Sequence, residues 1–387
     1  MRHLCPIVLA LALVGQVLAL PTDGVTVINS RDYYPAMMTL IEQAESSVTL
    51  VMHQTRFYVD WPGSDSNNLC DALVAASGRG VDVTFIIDMS ESDWNNNNEE
   101  NSDFGRRLAE GGAAVIWDDM ERVTHTKLIV VDGVATVISS VNWSHYALTS
   151  NNEVGVIVWG AEVAEAANAI AAEHAAAGEA QTEREGMGDV AAVTDDVAAY
   201  AAARDFEVLP CADAELLFNA DYYPAVSSLI ASAESRIDVV QRTADHYRMR
   251  PAHADPPAEG QDAVSLTNAL LRDLAAAAER GIEVVLTLEG GISYDGEPAV
   301  NDNLDFGLRA RSQGITVWWD PPDSQTHAKM VMVDDTVVVG STNWTLFAVE
   351  GQNNELSVAL ESPEVAEVYR GHIAALQASG EQFTGDF

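Results

Sequence analysis

Apolar residues along this chain fall into two alternating rhythms. Short runs of apolar and β-branched residues read as buried strands: Val25–Ile28, Val48–His53, Val81–Asp88, Ala114–Trp117, Lys127–Val131, Thr136–Ser139 and Val154–Trp159. Between them, helical spacing predicts Tyr33–Glu45, Asn67–Ser77 ending at Gly78, Ser102–Glu110 stopped by Gly111-Gly112, and Ala161–Ala177. The same succession returns from Glu215–Phe218 to a last helix over Glu364–Ala378. Near-continuous apolar strands alternating with helices predict an α/β fold in which each sheet is covered on both faces.

The two halves are copies of one another. Asp32-Tyr33-Tyr34-Pro35-Ala36 recurs as Asp221-Tyr222-Tyr223-Pro224-Ala225, and Arg79-Gly80-Val81 as Arg280-Gly281-Ile282. Two long copies make a duplicated domain and not a solenoid, which needs more and shorter repeats. The expected organisation is a leader over residues 1–19, a first repeat over 20–177, a linker over 178–210 and a second repeat over 211–387. Each repeat is expected to form a mixed β-sheet flanked by helices, the two packed with pseudo-two-fold symmetry around one site. The loops Ser90–Asn101 and Asp245–Gly260 are long enough for a functional part, with surface decoration the plainer reading.

Composition sharpens the setting. Arg2, the apolar run Ile7–Leu13 and the small-residue site Val17-Leu18-Ala19 read as a secretory signal, and the run is short for a membrane anchor. The expected location is therefore secreted or periplasmic. Cys5 departs with the signal, leaving Cys70 and Cys211 as one disulfide or two buried thiols. The net charge of −39 favours solubility and repels polyanions at low salt. It also suits concentrated salt, where screening weakens that repulsion.

Against this acidity the chain holds only two lysines, and both lie in one repeated string. The first copy is His125-Thr126-Lys127 with Asp132 following, and the second is His327-Ala328-Lys329 with Asp334 following. Ser140 and Asn142, then Glu153, succeed the first, and Ser341 and Asn343, then Glu355, the second. His and Glu are 28 residues apart in both copies. A site that keeps lysine among so many arginines asks for a compact ammonium in place of a planar fork. In a strand, residues i and i+2 share a face, so each His and its Lys project together. That pairing suits an anionic group: lysine neutralises it, and histidine attacks it or transfers a proton. The Asn amides and Ser hydroxyls supply further donors, and each Glu can accept a hydrogen bond from the other ring nitrogen of its own copy's histidine and so orient it. Two half-sites facing across one cleft fit a phosphate diester, which needs a nucleophile on one side and an acid on the other. Zinc ligation by these His and Asp residues conflicts with the adjacent lysines. A non-catalytic phosphate-binding chain would be expected to have lost a His or a Lys, and none is lost.

With both His-x-Lys-x4-Asp motifs present, the chain resembles the phospholipase D superfamily over most of residues 25–378. The resemblance implies one active site between two α/β repeats and a two-step reaction through a phosphohistidine. It implies His125 as nucleophile and His327 as acid and base, although the symmetry leaves their order open. Lys127, Lys329, Asn142 and Asn343, with Ser140 and Ser341, match phosphate-binding positions. Asp132 and Asp334 are expected to support the strand turn. The Gly-Ser-x-Asn of the family stands intact as Gly340-Ser341-Thr342-Asn343, while the first copy reads Ser139-Ser140-Val141-Asn142 with one extra residue upstream. No metal or cofactor is expected, because the two lysines supply the positive charge, and the chain is expected to act as a monomer. The expected substrate is a phospholipid at a membrane surface, cleaved to phosphatidate and the head-group alcohol. Nucleic acid is the alternative, disfavoured by the lack of a basic surface. Transfer of the phosphatidyl group to an alcohol uses the same residues. His53, whose counterpart is Arg242, is a candidate substrate contact; Trp143, Trp344 and the paired tyrosines read as core.

Overall fold

The computed structural model describes residues 18–90, 97–180, 205–247, 265–291 and 301–385. Most of the leader and most of the linker, with parts of both long loops, lie outside the described residues. In the first repeat the chain runs β1 (Gly24–Val27), α1 (Tyr33–Gln43), β2 (Ser47–Met52), α2 (Asp65–Gly78), β3 (Asp82–Ile87), α3 (Asn98–Glu110) and β4 (Ala114–Trp117). It continues through β5 (Lys127–Val131), β6 (Ala135–Ser139), α4 (His145–Thr149), β7 (Gly155–Trp159) and α5 (Ala161–Ala177). The second repeat copies this order as β8 (Asp213–Phe218), α6 (Tyr222–Ser232), β9 (Arg236–Gln241), α7 (Leu266–Glu279), β10 (Glu283–Leu288), α8 (Leu304–Ser312) and β11 (Thr316–Trp319). It closes with β12 (Lys329–Val333), β13 (Thr336–Gly340), α9 (Leu346–Val349), β14 (Leu356–Glu361) and α10 (Pro363–Ser379).

The sheet of the first repeat has the order β1-β7-β6-β5-β2-β3-β4, and that of the second the order β8-β14-β13-β12-β9-β10-β11. β2, β3 and β4 are parallel, as are β9, β10 and β11, and the remaining neighbours are antiparallel. Short strands extend the edges. Glu179–Ala180 pairs with β4 and Glu381–Gln382 with β11, whereas Ala19–Pro21 crosses over to pair with β8 of the second repeat. This is the expected α/β architecture of two mixed sheets with helices on their faces. The short helices α4 and α9 escaped the sequence reading because four or five residues carry no helical period.

Side-chain alternation explains why these strands are apolar throughout. In β5, Ile129 and Val131 enter the core of the first repeat, whereas Leu128 and Val130 enter a central core. In β12, Val331 and Val333 enter the core of the second repeat, and Met330 and Met332 meet Leu128 and Val130 in the same central core. α5 and α10 contribute Val163, Ala167, Tyr369 and Ile373 to that shared layer. Strands buried on both faces have no polar side, so their pattern cannot alternate. Cys70 lies in the first core and Cys211 in the central one, both as free thiols. The disulfide left open by the sequence is not formed. Among the described residues, no helix is long and apolar enough to cross a membrane.

Candidate active site

β5 starts at Lys127, opposite Met52 at the end of β2, and β12 starts at Lys329, opposite Gln241 at the end of β9. The motif histidines therefore precede these strands at the carboxyl ends of the parallel strands, where open α/β sheets place their ligands. Each ammonium turns back on its own motif: Lys127 Nζ donates to the carbonyl of His125 at 2.5 Å, and Lys329 Nζ to that of His327 at 2.5 Å. Both lysines are 2% exposed.

The glutamates act across the repeats. His125 Nδ1 lies 2.9 Å from Glu355 Oε2, and His327 Nδ1 lies 3.0 Å from Glu153 Oε2. The expectation of one Glu serving the histidine of its own copy is thus corrected. The neighbouring asparagines produce the crossing. The carbonyl of Asn354 accepts from the His125 amide at 2.8 Å, and the Asn354 amide donates to the Val123 carbonyl at 2.8 Å. Asn152 makes the reciprocal bonds, accepting from His327 N and donating to Gln325 O, each at 2.8 Å. Each Asn-Asn-Glu turn is in effect one rung of β-bridge to the motif of the other repeat. Neither half-site is complete alone.

The serines differ from expectation. Ser140 Oγ and Ser341 Oγ are fully buried, and each donates at 2.5 Å to a carboxylate, Glu153 and Glu355 respectively. Their donor is committed to holding a glutamate, so the expected donation to a substrate oxygen is replaced by a positioning part. Asn142 and Asn343 behave otherwise. Each has a buried amide oxygen with no hydrogen-bond partner, and neither amide nitrogen bonds within the described residues. The orphaned oxygens can only accept, so it is the amide nitrogens, without a bond among the described residues, that are placed to donate to an exogenous oxygen.

Asp132 and Asp334 sit outside the cleft. Both adopt left-handed backbone, with φ of 52° and 51°. Asp132 accepts from Ser46 N at 2.7 Å, Ser47 N at 3.0 Å and Ser46 Oγ at 2.8 Å. Asp334 accepts from Glu234 N at 2.8 Å and from Ser235 N and Arg236 N at 3.0 Å. Each pins the end of its motif strand to the turn entering the neighbouring strand. The extra residue of the first copy falls here: the β5–β6 turn spans Asp132, Gly133 and Val134, and the β12–β13 turn spans only Asp334 and Asp335. Gly351 restores the count in the second copy, at φ +69° and close against the Ala220 amide.

Burial dominates the electrostatics. It lowers His125 well below the ordinary imidazole range, with Lys127, His53 and Lys329 acting in the same direction. It lowers His327 to about 4, against the opposing charge of Glu153 and with help from Lys329. Lys127 is lowered by burial to about 7, opposed by Glu355 and Glu153, and Lys329 is lowered as well. Burial pushes Glu355 up to about 7, whereas at Glu153 the charge and hydrogen bond of His327 overcome burial and hold the carboxyl low. Two lysines and two glutamates nearly balance, so an incoming monoanion finds donors with no competing surplus of negative charge. Nδ1 of each histidine faces a carboxylate, which leaves Nε2 for chemistry.

Around this cluster lie His53, the candidate substrate contact of the sequence reading, its counterpart Arg242, and two asparagines that the sequence reading missed. His53 stacks edge-on to His125 at 4.8 Å between ring centres, with its Nδ1 on the Thr124 carbonyl at 3.1 Å. Arg242, at the corresponding place, lies against Thr243 Oγ1 at 3.4 Å. Asn152 and Asn354 stood in the repeated Asn-Asn-Glu string without an assigned part. Trp143 and Trp344 are fully buried, and their indole N–H groups donate to Tyr33 and Tyr222 at 3.0 Å, core packing beneath the site as read.

A paired imidazole, ammonium and amide from each of two repeats, closed by a glutamate from the other, defines a class of enzyme that works on phosphodiesters. The family model described as cardiolipin synthase, PLD-like domain, matches residues 37–174 and again residues 226–376. The chain belongs to the phospholipase D superfamily and is a phospholipase D-like enzyme acting on phosphodiester bonds. Its fold is similar to that of phosphatidylserine synthase from Haemophilus influenzae Rd KW20, at 14% identity and a TM-score of 0.67, over 95% of this chain and 89% of that one. It is also similar to polyphosphate kinase from Porphyromonas gingivalis, at 12% identity and a TM-score of 0.53, over 90% of this chain and 49% of that one. Nuc from Salmonella typhimurium matches 41% of this chain over 98% of its own, at 24% identity and a TM-score of 0.34. No curated protein matches the chain.

Proposed function

We propose that the protein is an exported phospholipase D-type hydrolase that cleaves a phospholipid diester to phosphatidate and a free head-group alcohol. The observation that carries this reading is the crossed pair of His–Glu contacts, which makes one site from both repeats. His125 Nε2 attacks phosphorus, the N–P bond forms and the P–O bond to the alcohol breaks. The proton on His327 Nε2 passes to the departing oxygen. His327 then takes a proton from water as the water oxygen attacks, and the N–P bond breaks. Lys127, Lys329 and the Asn142 and Asn343 amides hold the non-bridging oxygens as charge builds on them. The low-lying Glu153 carboxyl supports His327 as the proton carrier, because an ionised carboxylate stabilises the imidazolium. The anionic diester itself raises both imidazoles and both lysines.

Two features favour lipid over nucleic acid. One is the net charge of −39, which opposes polyanion binding. The other is a cluster whose members stand six to eight residues beyond His53 and three to four beyond Asn142. Trp61 and Tyr146, the exposed tryptophan and tyrosine among the described residues, flank His145 at 4.5 and 5.2 Å, beside exposed Val59. Amphipathic rings of this kind suit the boundary between head groups and water. The test is a side-by-side assay on phosphatidylcholine vesicles and single-stranded DNA, at low and high salt, with water and added alcohol competing as acceptors. Release of choline with phosphatidate is expected. DNA cleavage without lipid cleavage overturns the substrate, and transfer to alcohol in preference to water overturns hydrolysis.

A further inference from the structure

The three parallel strands of each repeat run into three polar residues: His53, Asp88 and Asp118 in the first, Arg242, Glu289 and Asp320 in the second. The acids lie behind the threonine that precedes each motif histidine, and the two halves neutralise them differently. In the first, Thr124 N donates to Asp88 Oδ1 at 2.9 Å and the Thr124 hydroxyl donates to Asp118. The imidazoles of His53 and His174 reach those carboxylates at 3.4 and 2.9 Å, so each acid has a basic partner. In the second, Arg242 stands in the place of His53, and Leu376, on α10, in that of His174 on α5. The Arg242 guanidinium is turned to neutral groups, with Thr243 Oγ1 at 3.4 Å from Nη1 and the Gln325 side-chain amide, its carbonyl turned toward the guanidinium, at 3.0 Å from Nε. It forms no ion pair among the described residues.

The second-repeat acids therefore converge with no cation bonded to either among the described residues. The single Thr326 N–H lies 2.6 Å from Glu289 Oε2 and 2.9 Å from Asp320 Oδ2. Both residues are 4% exposed, and their carboxyl groups meet at that one amide. We propose that Glu289 and Asp320 share one retained proton and act as a positioning pair for His327, making the second half of the site, and not the first, dependent on that proton. Two carboxylates this close and this buried do not both ionise. Once the proton leaves, repulsion between them acts directly on Thr326, whose neighbour His327 is otherwise held through Asn152, Glu153 and the Lys329 ammonium on its carbonyl. The groups facing Glu289 are Asp320 at the end of β11, Arg242 at the end of β9 and the amides of Thr326 and Gly291, the latter donating to Glu289 Oε1 at 3.0 Å, while the Gly290 amide donates to Asp320 Oδ1 at 2.7 Å. Burial and then Asp320 push Glu289 up to about 8, against Arg242 and Thr326.

The catalytic consequence rests on the proposed reaction, whereas the shared proton does not. A raised carboxyl means the folded chain holds a proton that the unfolded chain has released. Stability then falls as pH rises from the ordinary glutamate range to about 8, and levels off above it. Glu289→Gln and Asp320→Asn each replace the shared proton with a permanent amide donor. The experiment records thermal midpoints from pH 5 to 9 for the wild type and both variants, with kcat on a phosphodiester at pH 7 and pH 9. The wild type is expected to lose midpoint across this range, and the variants are expected to lose less than half as much. A group titrating near 8 is about nine-tenths ionised at pH 9, so the wild-type kcat should fall about tenfold there and the variant kcat less than threefold. Midpoints of both variants that track the wild type overturn the proposal. Flattened midpoints without activity on any diester support the shared proton and refute the reaction instead.

Discussion

Replacing either glutamate tests the crossing directly. In Glu153→Gln the carboxylate that faces His327 Nδ1 at 3.0 Å and accepts from Ser140 Oγ at 2.5 Å becomes an amide. Both donors meet the one oxygen Oε2, so a glutamine carbonyl there still accepts from them but carries no charge for the imidazole, and its NH2 group faces Asn151 Nδ2, which donates to Oε1 in the wild type. A buried hydrogen bond to a charged group contributes about 3 kcal/mol at the upper end, which predicts a loss of about 10²-fold in turnover. Glu355→Gln should lose as much, but at a different step. With a p-nitrophenyl phosphodiester the leaving group needs no proton, so attack depends on His125 and its partner Glu355 alone. Glu153→Gln should then release a burst of about one equivalent of nitrophenol and stall, because His327 is needed to activate water. Glu355→Gln should show no burst. Rapid-quench kinetics measure the burst, and peptide mapping of the stalled enzyme locates the phosphoryl group. Label on His125 together with a normal burst from Glu355→Gln would refute the crossed pairing. Label on His327 would exchange the roles of the two histidines while leaving the crossing intact.

Three other outcomes follow from the same geometry. Lys127, lowered by burial to about 7, loses its charge as pH rises, so kcat/KM should decline above pH 7, while kcat, measured with the anion bound, should hold to higher pH; coincident limbs would remove Lys127 from phosphate binding. Lys127→Arg keeps the charge but not the compact ammonium that donates back to the His125 carbonyl, and should cost at least tenfold in kcat/KM. Asp132 and Asp334 are held below the usual carboxylate range by backbone N–H groups that outweigh burial, so their contribution is present above about pH 4 and lost as pH falls through the folded value. Asp132→Asn should lower stability at pH 7 by about 1 kcal/mol, discounted for partial exposure, and by less at pH 3, with activity per folded molecule retained; equal losses at both pH values would deny the carboxylate its part. Trp61→Ser with Tyr146→Ser should weaken sedimentation with phosphatidylcholine vesicles at least fivefold, and leave cleavage of a soluble diester within twofold. Unchanged sedimentation would remove the rim cluster from lipid binding.

The elements were legible because most of them carry a single dominant signal. Strands buried on both faces read as apolar runs, and Gly78, Gly111 and Gly112 mark the helix ends. The motif side chains were legible for a similar reason, since two lysines in a chain whose other basic residues are arginines have few explanations. The serines were misread as ligands because a hydroxyl serves a phosphate or a carboxylate equally well. Only packing reveals that Ser140 and Ser341 lie beneath Glu153 and Glu355. The acid pair left no local sign either. Glu289 and Asp320 follow separate strands, and what distinguishes them from Asp88 and Asp118 is the absence of a histidine at Leu376, visible only once the repeats are superposed on a fold.

The crossing itself was beyond the reach of any spacing argument, and symmetry is the reason. Each repeat places its histidine just before β5 or β12, and its glutamate just before β7 or β14, so the separation of 28 residues is a property of one repeat. A glutamate that turned back to its own histidine and one that reached the other copy would require the same spacing. What decides between them is the second asparagine. Asn152 and Asn354 bond to the backbone of the opposite motif, and that rung carries the following glutamate across the interface. The equal spacing therefore records that both halves must deliver a glutamate to the same height, and the one-residue change in the β5–β6 turn is tolerated because Gly351 restores that height in the other copy. On this account, deleting Gly351 should damage His125 more than His327, because Gly351 sets the position of Glu355 and Glu355 holds His125. In the burst assay, such a deletion should behave like Glu355→Gln and lose the burst. A deletion that keeps the burst but stalls at the second step would show that the turn sets its own repeat and not the opposite one.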